Sequence, residues 1–133
     1  MKRIILTLLL FVFICQAYSQ VEYYTNLANE YEREYTMNQN KAKHLDSEAN
    51  KYLNYAKEYR RIADSCTRTD DTEKAAKFLK MAEQADENCQ FCLKMAQDAR
   101  ILSLEKYKLY QNALSKMLRE RKREQENLMR RSW

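Results

Sequence analysis

The fold is decided by residues 24–66, YTNLANEYEREYTMNQNKAKHLDSEANKYLNYAKEYRRIADSC. Small and apolar side chains recur in it at alternating steps of four and three, the heptad repeat of a coiled-coil helix. The repeat contains neither Gly nor Pro, so we predict one continuous α-helix, about 65 Å long at 1.5 Å per residue. Its residues form what we call the first seam: Tyr24, Ala28, Tyr31, Tyr35, Asn38, Ala42, Leu45, Ala49, Tyr52, Ala56, Tyr59, Ala63 and Cys66.

A second helix is predicted after a break at residues 65–72. Asp70 is expected to cap this helix, and Glu73, three residues later, to complete a capping box. The second seam has the same steps: Ala75, Phe78, Ala82, Ala85, Cys89, Cys92, Ala96 and Ala99. Polar residues then occupy the places that should be apolar: Arg100, Ser103 and Lys106. We therefore expect the seam to slip there and to resume at Tyr107, Tyr110, Leu114 and Met117.

A turn of only a few residues makes the two helices antiparallel neighbours. A bend about residue 69 brings the small residues of the two seams face to face: Ala63 with Ala75, Ala56 with Ala82, Ala49 with Cys89, Ala42 with Ala96, and Tyr35 with Ser103. This pattern, over roughly residues 28–103, resembles the alanine-rich antiparallel coiled coils known as Alacoils. The resemblance is one of packing and implies no activity. The predicted fold class is all-α, a long antiparallel two-helix hairpin.

Two other helical architectures stay open. The block Ala49-x3-Leu53-x2-Ala56 recurs 26 residues later, from Ala75, and resembles the second helix of a tetratricopeptide repeat. The period of that repeat is about 34 residues, so the match is imperfect. A break near Asn88, with this residue capping a third helix, would instead give a three-helix bundle.

Residues 1–19 have the composition of a bacterial secretory signal peptide. Two basic residues precede the apolar run Ile4 to Ile14, and small residues precede a cut between Ser19 and Gln20. We therefore expect export, to the periplasm or the medium. A retained anchor is the first alternative, disfavoured because the apolar run is shorter than the roughly 20 residues that cross a bilayer. Lipidation of Cys15 is the second, disfavoured by the bulky residue before it.

Removal of 19 residues from 133 leaves 114, enough for one small domain. We place this helical hairpin domain at residues 20–115, with a helix at about 22–66, a turn at 67–71 and a helix at about 71–115. A basic helical tail follows at 116–133. The tail holds seven Lys and Arg against three Glu, whereas residues 20–115 hold 15 basic and 16 acidic side chains, so the positive excess lies in the tail.

The tail is predicted to bind anions. Outside the cytosol these are lipid head groups on a membrane surface, envelope phosphates or an acidic partner, and nucleic acid is not expected. The candidate residues are Arg119, Arg121, Lys122, Arg123, Arg130 and Arg131. Trp133 is a candidate interfacial anchor.

Cys89 and Cys92 form the one motif with known chemistry, a C-x-x-C. No βαβ pattern or Pro accompanies it, which argues against a thioredoxin-type site. His44 and Glu48 approach these cysteines in the hairpin register, which makes the four residues a low-ranking candidate zinc site. A disulfide between the two cysteines, or one between two copies of Cys66, also stays open. No Gly-rich phosphate loop or catalytic group is found, so we expect no enzyme and no cofactor.

The outer face of the second helix carries apolar residues that a bare hairpin cannot bury: Phe91, Met95, Leu102 and Leu109. Such an exposed stripe typically marks an interface with another protein or a second copy. We therefore expect an exported helical interaction or scaffold protein, an accessory subunit that docks on a cell-envelope assembly. The alternatives are a periplasmic holdase-type chaperone and, third, a redox or zinc-binding protein that uses the C-x-x-C motif.

Overall fold

The computed structural model describes residues 2–133, except for the side chains of Ala17 and Tyr18. Over these residues the chain consists of two α-helices in contact and contains no strand. Helix α1 spans Lys2–Arg68 and helix α2 spans Thr72–Arg131. The all-α prediction is therefore confirmed. The predicted signal peptide includes Met1, Ala17 and Tyr18, which lie outside the described residues or side chains.

Helix α2 runs through Asn88 without a break, and no third helix is present among the described residues. The three-helix alternative is therefore wrong, and so is the tetratricopeptide-like one, which also needs further helices. The physical reason is composition, because no Gly or Pro interrupts either heptad repeat. Asn88 lies within a helix whose apolar side continues past it.

The helices are joined by a turn that ends α1 with Asp70 in the left-handed conformation, at φ 58°. The Asp71 N–H donates to the Cys66 carbonyl at 3.0 Å, and the Asp70 N–H donates to the Thr67 carbonyl at 3.3 Å. These two bonds form a Schellman motif, which satisfies carbonyls that the end of a helix leaves without partners. Gly usually occupies the left-handed position, but this chain has none, and Asp is among the residues that tolerate it best.

The residue that caps α2 is Asp71. Its Oδ1 accepts a hydrogen bond from the Lys74 N–H at 3.2 Å, and its carbonyl accepts the first helical bond, from Ala75, at 3.0 Å. The prediction that Asp70 caps the helix and pairs with Glu73 in a capping box is wrong by one residue. Asp70 cannot serve because its backbone already terminates α1. With Asp71 as the cap, the third helical position is Lys74, whereas a capping box takes Glu or Gln there.

The chain divides into two compact units, which we call the tip unit and the terminal unit. The tip unit is Thr36–Ser103, and the terminal unit combines the chain up to Tyr35 with Leu104–Trp133. The core of the tip unit consists almost entirely of small seam side chains: Ala42, Ala49, Ala56, Ala63, Cys66, Ala75, Ala82, Ala85, Cys89, Cys92, Ala96 and Ala99. Two polar side chains, Asn38 and Ser103, are buried with them.

Large side chains cover this narrow core from its edges. Tyr52 packs against the cluster of Ala49, Cys89 and Cys92. Near the turn, the ring centroids of Tyr59 and Phe78 lie 6.1 Å apart. From Tyr52 to Tyr59 the contact moves forward along α1, whereas on α2 it moves back from Cys89 and Cys92 to Phe78. The two helices of the tip unit are therefore antiparallel.

Two cross-helix ion pairs flank the core of the tip unit. Arg60 pairs with Asp86, and Asp46 pairs with Arg100, with all four side chains 38–53% exposed. On each helix the two paired residues are two heptads apart, so both ion pairs occupy the same heptad positions beside the seam. Their order along α1 is the reverse of their order along α2, as expected for antiparallel helices. Because the groups remain partly hydrated, each pair adds less than about 1 kcal/mol, and their main effect is on alignment.

The terminal unit has a more polar centre. Lys106 forms an ion pair with Glu34 at 2.6 Å, and its ammonium lies 5.7 Å from the ring centroid of Tyr31. The hydrogen bond to Glu34 is the main reason that the pKa of Lys106 is raised above its ordinary value. The Tyr35 and Tyr107 rings, with centroids 5.2 Å apart, lie beside this pair.

The second seam does not slip beyond Ala99. Ser103, Ala113 and Met117 are buried and Lys106 is half-buried, which keeps the heptad positions of the preceding alanines. The prediction is confirmed for Met117 and for Tyr110, which is half-buried at the same heptad position. The predicted return at Tyr107 and Leu114 is wrong, since Tyr107 is exposed and Leu114 only half-buried. The register survives because the long Lys106 side chain reaches a carboxylate and an aromatic ring from a core position.

Candidate functional site

The outer face of α2 remains uncovered in the tip unit. Phe91 is 63% exposed, Leu102 is also exposed, and Met95 is half-buried. These three residues follow one another at steps of four and seven, so they lie along one side of the helix. The fourth predicted residue, Leu109, belongs to the terminal unit and is exposed there.

An open groove of about 200 Å³ lies in the same unit. On one side it is lined by three tyrosines of α1, with ring centroids 6.3 Å apart for Tyr52 and Tyr55 and 6.4 Å apart for Tyr55 and Tyr59. From α2 it is lined by Met81, Gln84, Ala85 and Asn88. The sequence does not reveal this groove, because the heptad repeat alone does not identify the α2 residues that face the tyrosines.

The groove and the outer face are continuous along α2. Met81, Asn88, Met95 and Leu102 recur every seven residues, so they share one side of the helix. We call the combined surface the docking face, formed by Tyr55, Met81, Phe91, Met95 and Leu102. It presents aromatic rings with polar edges and flexible thioether side chains, which suit an irregular apolar partner surface.

Further apolar side chains are exposed on the opposite flank of the seam. They are Leu53, Leu79 and Leu93, close in sequence to the cross-helix ion pairs. The sequence signal for them is their heptad position, immediately next to the seam. Individual exposed leucines are ordinary on a protein surface.

The four residues of the candidate zinc site do not form a metal centre. Among the described residues, no group of three or more His, Cys, Asp and Glu side chains could hold a metal ion. His44 is exposed, and Glu48 is engaged by Lys51, whose hydrogen bond is the main reason that the pKa of Glu48 is lowered. Cys89 and Cys92 are buried free thiols that contribute to the core.

The cysteines of the described chain are all free thiols, so the disulfide between Cys89 and Cys92 is not formed. A bond between two copies of Cys66 stays a prediction. Cys66 is buried at the turn end of the first seam. A buried seam position beside the turn requires a small apolar side chain, and Cys66 meets this requirement without a redox role. Cys15 lies in the apolar amino-terminal segment and is exposed.

The basic tail is solvent-exposed at every predicted anion-binding residue: Arg119, Arg121, Lys122, Arg123, Arg130 and Arg131. Arg123 forms an ion pair with Glu120 at 2.9 Å. Glu120 and Glu124 are half-buried, and Glu124 Oε1 lacks both solvent contact and a hydrogen-bond partner among the described residues. The tail therefore places its basic groups outward and two of its glutamates inward.

The amino-terminal part of α1 contains an apolar window of 18 residues with mean hydropathy 2.1, and none of it is buried. By length and composition, this stretch meets the requirement for crossing a membrane. A signal sequence satisfies the same description. The function of these surfaces has to be inferred from the chain's own residues, because no protein-family model, curated protein or solved structure matches it.

Proposed function

We propose that this chain is an exported helical docking protein, an accessory subunit that binds one protein partner of a cell-envelope assembly through the docking face. Its framework is an Alacoil-like antiparallel coiled coil. The observation that carries the proposal is the exposure of Phe91 and Leu102 beside the tyrosine-lined groove, on a helix that already buries its other side. Among the described residues, no group of His, Cys, Asp and Glu side chains that could hold a metal ion competes with a binding role.

The Alacoil-like framework is supported by the size of the side chains at the helix contact. In the tip unit Ala49 of α1 clusters with Cys89 and Cys92 of α2, and Tyr52 packs against this cluster. Small residues on α2 thus leave room for the tyrosines of α1, and the helix axes can approach to about 8 Å. Such a narrow contact leaves the outer sides of both helices free for a partner.

The geometry of the docking face favours a helical partner segment. Steps of four and seven along α2 produce a straight apolar stripe, the arrangement that receives an amphipathic helix with anchors at matching intervals. The groove between Tyr55 and Met81 then accepts a large anchor side chain. Methionine adapts to the anchor's shape, and the tyrosine hydroxyls stay hydrated at the rim.

Two features support export with removal of the amino-terminal segment. The apolar window is unburied, so it adds little to the packing of the terminal unit. Burial of the unpartnered Glu124 oxygen costs about 1–3 kcal/mol. This carboxylate follows Lys116 by two helical turns, and Lys116 contacts the Tyr24 ring, so Glu124 is level with the segment that cleavage would remove.

The test is photo-crosslinking in intact cells that produce the protein, followed by identification of the linked proteins. The docking-face variant carries Phe91→Ser and Met95→Ser. The matched control carries Leu79→Ser and Leu93→Ser, which remove exposed apolar groups from the other flank of the same helix. Circular dichroism checks that both variants keep the helix content of the parent.

The expected result is one dominant crosslinked partner that the docking-face variant loses and the control retains. A second copy of the chain as that partner would identify self-association through the same face. A broad set of unfolded chains would contradict docking and identify a holdase-type chaperone. Equal retention of the partner by both variants would place its binding site elsewhere and refute the docking face.

A further inference from the structure

We propose that the carboxyl-terminal tail, residues 116–133, is an interfacial helix that binds the surface of an anionic phospholipid membrane. It is a second site, separate in sequence from the docking face. A helix of this kind needs basic residues, an uncovered apolar strip and an aromatic residue at the level of the head groups. The tail has all three.

The first observation is the segregation of charge around the tail helix. Glu120 and Glu124 continue the heptad positions of the second seam, point toward α1 and are half-buried. The exposed remainder of the tail carries seven basic residues against one acidic residue, Glu126: Lys116, Arg119, Arg121, Lys122, Arg123, Arg130 and Arg131. The net charge of the outward side of the tail is therefore more positive than that of the tail as a whole, because two of the three glutamates point inward.

The helix dipole does not account for this charge. Basic residues are favoured in the last turn, where Arg130 and Arg131 lie, and the effect falls off within that turn. Arg119, Lys122 and Arg123 lie two to three turns before the helix end. Of these three, Arg123 pairs with Glu120. All three are exposed, and such a cluster of basic side chains attracts a surface of phosphate groups.

The second observation is an uncovered apolar strip on the same side. Leu118, Lys122, Met129 and Trp133 follow at steps of four, seven and four, which keeps them in line along the helix and just past its end. Leu118 and Met129 are exposed, and Trp133 is fully exposed. Lys122 can extend its ammonium from this strip toward phosphates while its alkyl chain stays among the apolar groups.

The third observation is the level of the tail along α1. The Lys116 ammonium lies 5.7 Å from the ring centroid of Tyr24, so the residues after Lys116 run beside the apolar amino-terminal segment. If that segment is cleaved, the tail beyond this contact loses its helical neighbour. If the segment is retained, it enters the bilayer at this level. In both cases the basic, apolar tail is presented to the membrane surface.

The experiment uses Trp133, the single tryptophan of the chain, as the probe. The full chain, as recovered from cells, is titrated with phosphatidylglycerol vesicles and with phosphatidylcholine vesicles while tryptophan emission is recorded. We expect a blue shift and quenching by brominated acyl chains with the anionic vesicles only, weakened as salt is raised. Because the probe is in the tail, membrane binding by the amino-terminal segment alone does not produce this signal.

The tail variant changes Arg119, Lys122, Arg123 and Arg130 to Gln. Each basic residue near an anionic surface contributes roughly a fivefold gain in binding, so loss of all four should weaken vesicle binding by ~600-fold. The control variant removes equal charge from exposed positions of α2 outside the tail, Lys74, Lys77, Lys80 and Lys94, and should stay within about threefold of the parent. Circular dichroism verifies helix content in both.

Three results would overturn the proposal. One is no change in Trp133 emission with anionic vesicles. Another is an equal loss of binding in the control variant, which would assign binding to net charge anywhere on the chain. The last is displacement from vesicles by a short oligonucleotide at matched phosphate concentration, which would identify the tail as a nucleic-acid site.

Discussion

Two neighbouring aspartates in the turn should change the stability of the protein in opposite directions when they are substituted. Asp70 holds the left-handed backbone position at φ 58°, whereas Asp71 caps the following helix with its side chain. We therefore expect Asp70→Gly to raise the free energy of unfolding and Asp71→Ala to lower it. The two residues have the same chemistry, so only their backbone and hydrogen-bond roles distinguish them.

The magnitudes follow from those roles. The left-handed conformation destabilises a residue that has a side chain by roughly 1–2 kcal/mol, and Gly lacks this penalty. Gly instead loses more chain entropy on folding, which costs about 0.5–1 kcal/mol. Asp70→Gly should therefore stabilise by about 0.5 kcal/mol. Asp71→Ala removes the acceptor of the 3.2 Å bond from the Lys74 N–H and should destabilise by about 1 kcal/mol.

Urea unfolding followed by circular dichroism at 222 nm measures both changes. The control is Asp64→Gly, the same substitution at an exposed position inside α1, which should destabilise by ~0.4 kcal/mol. If Asp70→Gly destabilises as Asp64→Gly does, Asp70 is not in the left-handed conformation. If Asp71→Ala leaves stability unchanged while Asp70→Ala lowers it, the cap is Asp70 and the turn described above is wrong.

Three further predictions concern packing, pairing and pH. Ala56 is fully buried, so Ala56→Leu should lower the free energy of unfolding by about 1–3 kcal/mol, whereas Asn54→Leu at an exposed position should change it by less than about 0.5 kcal/mol. Arg60→Glu places a negative charge opposite Asp86 and should destabilise the fold by less than ~1 kcal/mol. Adding Asp86→Arg should restore the lost stability. A double-mutant cycle that shows no coupling energy at low salt would refute the pairing. The pKa of Glu48 should lie below 4.5 because the ammonium group one turn further on donates a hydrogen bond to it. Its contribution to stability is thus present above the ordinary carboxyl pKa and lost as pH falls through the lowered value, and a carbon NMR titration with a midpoint at or above 4.5 would contradict this.

The helices and the core could be predicted from the sequence because one physical signal determined both. Small residues at heptad spacing identify a helix and the side that it buries, and Ala49, Ala56 and Ala96 are buried as predicted. The exposure of Phe91 and Leu102 follows from the same spacing, because a two-helix contact leaves the opposite side of each helix uncovered. Their role in binding a partner stays a prediction.

The errors at the turn and in the second seam have separate causes. The capping rule selects the first suitable acceptor, which is Asp70. The left-handed residue that ends α1 cannot be Gly, because the chain contains none, and Asp70 occupies that position. Lys106 was counted as a break in the seam because of its charge. Its environment, with Glu34 and the Tyr31 ring, depends on the partner helix and is not visible in local spacing.

The groove and the cross-helix ion pairs depend on helix register, which the sequence constrains only to within a few residues. The sequence places tyrosines of α1 in the first seam, but it does not identify the α2 residues that lie opposite them. The Asp46–Arg100 pair lies 54 residues apart in sequence and becomes evident only once the turn is known. Prediction of the site was therefore limited by the turn rather than by the helices.

The alanine-rich core has a consequence for calorimetry. Of the buried apolar side chains among the described residues, eleven are alanines, and each exposes only a methyl group to water on unfolding. The heat-capacity change per residue should therefore fall below the ~12–15 cal/mol/K typical of globular proteins. A small heat-capacity change flattens the dependence of the unfolding free energy on temperature. The protein should consequently show a broad thermal optimum and cold denaturation displaced to lower temperatures.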